Sequence, residues 1–207
     1  MTPWLIFGGG GQGVGALIVE RALEQGRKVV ALVRDDQAAA RLEARGVQVV
    51  RGDACDDSAV AKACKLAGRG ATIISSMGGA QDYLAHRTVI DNAGAAGIAR
   101  MVMVTSLGCG DSWAWLSPRA RAAFGQAVRE KSLAESWLAT SGMDFAILRP
   151  GGLLNGAATG KAERSQGVEV HGMVMRADVA AHACALADSP TLGGQIISLV
   201  EPGLKAT

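Results

Sequence analysis

Between Phe7 and Val14 the chain reads Gly8-Gly9-Gly10-Gly11-Gln12-Gly13, with Gly15 one step further, after the apolar run Trp4–Phe7 and before a helix-forming stretch. Glycine lets the backbone turn sharply and approach a ligand closely, and the unpaired amides that open a helix attract negative charge. In a strand-to-helix turn this combination predicts a site for the pyrophosphate of a dinucleotide, held by Gly8, Gly10, Gly11, Gln12, Gly13 and Val14. Two registers fit: Gly8, Gly10 and Gly13 satisfy GxGxxG, while Gly9, Gly13 and Gly15 satisfy GxxxGxG. The residues alone do not choose between them.

A second chemical signal stands at the end of the next apolar run, Ala31-Leu32-Val33-Arg34-Asp35-Asp36. An acidic residue at this point grips a ribose 2′-hydroxyl and repels a 2′-phosphate, whereas a guanidinium binds the phosphate through paired, charge-assisted hydrogen bonds. Arg34 therefore predicts NADP as the cofactor. Asp35 leaves room for NAD, and both aspartates are also placed to cap the following helix. By topology, Gly52 and Asp53 fall where adenine is contacted, and Ser75, Ser76 and Met77 where the chain passes beneath the cofactor.

The elements that position these residues alternate. Strands are expected at Trp4–Phe7, Lys28–Val33, Val47–Arg51, Ala71–Ser75, Met101–Thr105, Phe145–Leu148 and Gln195–Leu199. Helices are expected at Val14–Gln25, Asp36–Arg45, Ser58–Ala67, Asp82–Ala96, Arg119–Ser141 and Ala177–Ala187, with Gly26, Gly46, Gly68, Gly97 and Gly142 where C-caps belong. Several strands are uninterrupted apolar runs, as strands buried on both faces are. The order predicts an α/β fold, a Rossmann-like doubly wound parallel sheet in three α/β/α layers. The stretch Pro150–Gly167 reads as one long glycine-rich loop.

With 207 residues, 49% of them hydrophobic and 19% charged, the chain suits a single domain over 1–207 with a large core. A net charge of +2, with scattered basic residues, argues against a nucleic-acid partner. No run approaches the ~20 apolar residues of a membrane span, and no secretion signal opens the chain, so a cytoplasmic protein without a membrane partner is expected. Cys55, Cys64, Cys109 and Cys184 show no CxxC pairing or Cys/His grouping, which predicts reduced thiols and no metal.

The glycine turn, Ala31–Arg34, Gly52-Asp53, Val104-Thr105-Ser106, Lys131 to Glu135, Leu148-Arg149-Pro150-Gly151-Gly152 and Arg176-Ala177-Asp178-Val179-Ala180 together resemble the atypical short-chain dehydrogenase/reductases, NAD(P)-binding proteins related to biliverdin reductase B and flavin reductases. The resemblance covers nearly the whole chain. It implies that Thr105 and Ser106 lie at the nicotinamide, that Ser106 also faces the substrate, that Pro150 and Gly151 border the nicotinamide amide, and that Lys131 is the family lysine, which also binds the cofactor at the nicotinamide ribose. It thus marks Ser106 and Lys131 as the catalytic pair. In the general family a tyrosine four residues before that lysine donates the proton; here the position is Ala127.

Without that acid, reduction of a simple ketone loses a factor of ~10² to 10⁴. A conjugated acceptor spreads the developing charge, so the expected reaction is hydride transfer from NADPH to a flavin, quinone or tetrapyrrole-like small molecule. Trp113 and Trp115, in the loop Gly108–Arg119, offer apolar faces to such a molecule, with Arg119 or Arg121 for an anionic group; the competing role is packing the loop onto the core. Tyr83, the histidines and Asp178 read as structural, with His171 alone in a stretch that approaches the site. Two other functions stay open: a non-catalytic NADP(H)-binding redox sensor, and a reductase or isomerase of specialised metabolism. A sugar epimerase is disfavoured by the short chain after Pro150, and the oligomeric state stays open.

Overall fold

The computed structural model describes residues 1–205. Its strands begin with β1 (Trp4–Phe7) and β2 (Val29–Val33), in which every residue is buried, as expected where helices cover both faces of a parallel sheet. They continue through β3 (Gln48–Arg51), β4 (Thr72–Ser75), β5 (Arg100–Val104) and β6 (Asp144–Pro150). Three short strands follow, β7 (Gly152–Leu154), β8 (Glu163–Ser165) and β9 (Met173–Met175), and then β10 (Gln195–Val200). The main sheet has the order β3-β2-β1-β4-β5-β6-β10-β8, parallel except for the antiparallel edge strand β8.

The helices are α1 (Val14–Glu24), α2 (Asp36–Glu43), α3 (Asp57–Ala67), α4 (Asp82–Ala96), α5 (Pro118–Ala139) and α6 (Arg176–Asp188). One core layer joins the sheet to α1, α2 and α6 through Ile18, Leu42 and Val179; the other joins it to α3, α4 and α5 through Val60, Val89 and Leu138. The Rossmann-like three-layer arrangement expected from the sequence is thus the observed one. Among the described residues, no helix is long and apolar enough to cross a membrane.

Each expected strand and helix is present, with ends displaced by one or two residues where local bonds set the limit. Helix α5 starts at Pro118 because Ser117 Oγ accepts from the Ala120 amide at 3.1 Å, and α3 starts at Asp57 because Asp56 caps the Ser58 and Ala59 amides. The region Pro150–Gly167 is not one loop. Strand β7 pairs in parallel with β9 in a separate two-stranded sheet, and β8 pairs with β10, so the segment is tied down at both ends. Three-residue strands are too short to leave an alternating pattern in the sequence.

The chain crosses over between β1 and β4, which puts the carboxyl ends of these neighbouring strands at the point where successive connections leave in opposite directions. A crevice forms there in doubly wound sheets, and it positions the site.

Candidate cofactor and active site

A cleft of about 790 Å³ opens above the ends of β1 to β4. Gly8, Gly10 and Gly11 line it after β1, Arg34 and Asp35 after β2, Gly52 to Cys55 after β3, and Ser76 to Asp82 after β4. The four turns are far apart in sequence, and only the sheet order brings them together.

Steric contacts resolve the glycine register. A β-carbon on Gly15 would lie 2.3 Å from the Gly8 carbonyl oxygen, so α1 packs directly on the turn backbone at that position. Gly8 has a φ of +88°, the left-handed region that favours glycine. A β-carbon on Gly13, by contrast, would meet nothing within 4 Å. Gly9, Gly13 and Gly15 therefore follow the GxxxGxG spacing, with Gly15 as the packing glycine and Gly13 as the position left open to a ligand.

The cleft fits a dinucleotide on its own features. Gly13 is the N-cap of α1 and supplies no side chain to the first amides of the helix, which leaves them for phosphate oxygens. Ser76 Oγ is buried without a partner among the described residues and points at the turn, 2.7 Å from where a Gly15 β-carbon would sit. When bound, a nicotinamide dinucleotide supplies a hydride. The residues placed to hold its phosphates are the exposed turn residues Gly11 and Gln12, the α1 start at Gly13 and Val14, and Ser76.

At the ribose corner Arg34 is 78% exposed and its Nη1 lies 3.3 Å from Asp53 Oδ2. Asp53 in turn accepts from the Cys55 amide at 2.8 Å; that bond, and Arg34 beside it, hold its carboxyl below the ordinary range although burial pushes the other way. Asp35 is engaged elsewhere: its side chain caps α2 by accepting from the Ala38 amide at 2.7 Å. A second guanidinium, Arg41, reaches from α2 to the Gly10 carbonyl at 3.0 Å. Sequence reasoning missed Arg41 because it sits mid-helix with no motif around it.

Several expected site residues sit elsewhere. Ser75 is fully buried and its Oγ lies 2.8 Å from His86 Nε2, turned away from the cleft. Thr105 is buried too, its Oγ1 donating to Glu135 Oε1 at 2.6 Å. Ser106 Oγ donates to the Leu107 carbonyl at 2.9 Å, and Ser106, Pro150 and Gly151 are outside the cleft lining. Gly151 has a packing reason, since a β-carbon there would lie 2.2 Å from the Gly172 carbonyl oxygen.

The loop after β5 contains a 3₁₀ helix, Gly110–Trp115. It is fixed by Arg149, buried at the end of β6, which pairs with Glu135 Oε2 at 2.7 Å and with Asp111 Oδ1 at 2.5 Å. Burial lowers the Arg149 pKa, but the two carboxylates outweigh it and hold the guanidinium firmly charged. The same burial pushes the Cys109 thiol up to about 12, which makes it an inert core residue. Trp113 lies across Gly125 of α5, with Arg121 5.2 Å from its ring centre, and lines a separate groove with Arg129 and Leu133. Trp115 is half-buried and Arg119 exposed; neither lines the cleft. His171 is exposed and pairs with Glu169 at 2.7 Å.

One buried network was not legible in the sequence. His86 is fully buried on α4, with Nδ1 2.7 Å from Asp82 Oδ1 and Nε2 against Ser75. Asp82 Oδ2 accepts from Lys131 Nζ at 2.6 Å, and Lys131 also donates to the Met77 carbonyl at 2.8 Å. The order Ser-His-Asp resembles a hydrolytic triad, but a serine with no exposure cannot attack a substrate. Tyr83 packs edge-on against Trp137, and its amide donates to Glu130 at 3.0 Å. Among the described residues, no three His, Cys, Asp or Glu side chains are grouped to hold a metal ion.

Residues 8–190 match a family profile described as NAD(P)H-binding. The chain belongs to that NAD(P)H-binding family. Among solved structures it is similar to ChuY, an anaerobilin reductase from Escherichia coli O157:H7, with 66% identity, full coverage of both chains and a TM-score of 0.98. It is similar to chuY of E. coli strain CFT073 at 63% identity, again over both full chains, with a TM-score of 0.93. A more distant relative, the uncharacterized sugar epimerase YhfK of Bacillus subtilis strain 168, is 30% identical over 185 residues, 83% of this chain and 81% of that protein. A family built on NAD(P)H and a full-length relative named as a reductase make this an NAD(P)-binding oxidoreductase.

Proposed function

We propose that the protein is an NADPH-dependent reductase that passes hydride to a linear tetrapyrrole. The observation that carries this is identity of 66% over the full length with a relative named as an anaerobilin reductase, whose -bilin ending denotes that acceptor class. Two features of the chain support it. Asp35 is spent capping α2 while Arg34 and Arg41 flank the ribose corner, an arrangement suited to a 2′-phosphate. Ala127 stands where the general family has its tyrosine acid, which suits an acceptor able to delocalise charge.

The test is anaerobic NADPH consumption across linear tetrapyrroles, flavins and quinones, with NADH in parallel. Turnover with a tetrapyrrole, faster with NADPH than with NADH, is expected. Oxidation of neither nucleotide with any acceptor, despite measurable NADP affinity, would replace the enzyme with a cofactor-binding sensor.

A further inference from the structure

The proton that must accompany hydride transfer has no tyrosine at position 127 to come from, yet a cation is held directly behind the cleft residues Met77, Gly78 and Asp82. Lys131 reaches from α5 to the segment after β4, and a β-carbon added to the cleft residue Gly78 would touch its Nζ at 3.7 Å. Two of its three N–H bonds go to the Met77 carbonyl and Asp82 Oδ2, which leaves one free. The lysine side chain is 15% exposed and Asp82 1%, so this is a sheltered pair and not a solvated surface contact.

The pair is built from behind. Asp82 divides its oxygens, Oδ2 to Lys131 and Oδ1 to His86, while the second ring nitrogen of His86 meets Ser75. Ser75 Oγ also accepts from the Met77 amide at 3.4 Å. The Met77 backbone is thus held at its N–H through Ser75 and at its carbonyl by Lys131, and it lines the cleft. A carboxylate with no second partner would be free to rotate away from the ammonium; His86 removes that freedom.

We propose that Asp82 and His86 are positioning residues for Lys131, and that the ammonium they hold is the proton source for the reduction. This rests on the reductase reading above. As the acceptor carbon takes the hydride, the electron pair of its double bond moves through the conjugated system to a heteroatom. That atom takes a proton from the Lys131 ammonium, leaving a neutral amine that water reprotonates at the cleft mouth. Arg129, Glu130, Glu135 and Arg149 are charged groups near this part of α5; Arg129 lines the Trp113 groove, and the other three already have partners of their own.

The experiment combines kinetics with chemical labelling of the full chain. Lys131→Met is expected to lower kcat by about 10²-fold while NADPH affinity, by calorimetry, stays within a factor of about three, with partial rescue by added ethylamine. Asp82→Asn and His86→Gln are expected to lower kcat about tenfold alone and to have no further effect in the Lys131→Met background. Additive losses, or an unchanged kcat in Lys131→Met, would overturn the proposal. Lys131 is less buried than Asp82, so Lys131→Met carries the test should Asp82→Asn fail to fold. If the wild type turns over no acceptor, the reductase reading fails separately. Acylation of Lys131 by an amine-reactive reagent, read by peptide mass spectrometry, then decides the positioning claim: faster labelling in Asp82→Asn supports it, equal labelling sinks it.

Discussion

Replacing Arg34 with alanine tests the cofactor assignment at one atom group. Hydrogen bonds to charged groups contribute about 1.5–3 kcal/mol. At 78% exposure the Arg34 side chain belongs at the lower end, because water and salt screen it, and its contact with Asp53 at 3.3 Å must be given up to reach a phosphate. A loss of about 1.4 kcal/mol, a tenfold weaker NADP Kd, is therefore expected, while the NAD Kd changes less than about twofold. Arg41, anchored on the Gly10 carbonyl, keeps part of the preference in the single variant. Calorimetry with both nucleotides at low and high salt is the assay. The gap between them should narrow as the Debye length falls from about 30 Å at 0.01 M to about 3 Å at 1 M. Equal weakening for NADP and NAD, or none for either, would refute the phosphate role.

Glycine replacements separate folding from binding. Gly15→Ala forces a contact of 2.3 Å with the Gly8 carbonyl and should lower both Tm and cofactor affinity, whereas Gly13→Ala, with nothing within 4 Å, should leave Tm unchanged and weaken cofactor binding by more than about tenfold. Glu135→Gln removes the charge that Arg149 and Thr105 share in the core, at a cost of about 3–5 kcal/mol, or a Tm lower by roughly 6–20 °C in a thermal melt. A melt within about 2 °C of wild type would show that Asp111 alone satisfies the arginine. For pH, burial raises the Asp82 carboxyl but His86 and Lys131 outweigh it, and Asp53 and Asp111 are likewise held low. Groups depressed in the folded state stabilise it above their unfolded pKa of about 4 and lose that contribution as pH falls further, so Tm should hold at neutral pH and drop below about pH 4, less steeply in Asp82→Asn.

The layer order was legible because it is written in local patterns. Trp4–Phe7 and Val29–Val33 are apolar at every position, which only a strand covered on both sides requires, and Gly68 and Gly97 end their helices where a C-cap belongs. What escaped was short or bonded at a distance. Strands β7, β8 and β9 take three residues each, and their pairing partners lie up to 37 residues away, as Glu163 does from Val200. Nothing in a window around Glu163 or Met173 distinguishes such a strand from a loop.

The same division runs through the site and explains why one half of it could be read and the other could not. The cofactor end is specified turn by turn: each loop leaving β1 to β4 carries its own glycine, arginine or serine, so a motif suffices to place Gly8, Gly10, Gly11, Arg34, Gly52, Asp53, Ser76 and Met77 near the cleft. The side where the proposed proton source lies is specified by pairs drawn from α4, α5, β6 and the 3₁₀ helix after β5, with Asp82 meeting Lys131 across 49 positions and Arg149 meeting Asp111 across 38. Ser75 and Thr105 show the cost of reading that side from position alone, because both follow the sheet as expected and then turn inward to hold His86 and Glu135. A buried carboxylate is stable only when its partners arrive with it. Asp82 and Glu135 therefore carry more information about how α4, α5 and β6 are joined than any residue on the surface there, and none of it is visible until the helices are packed.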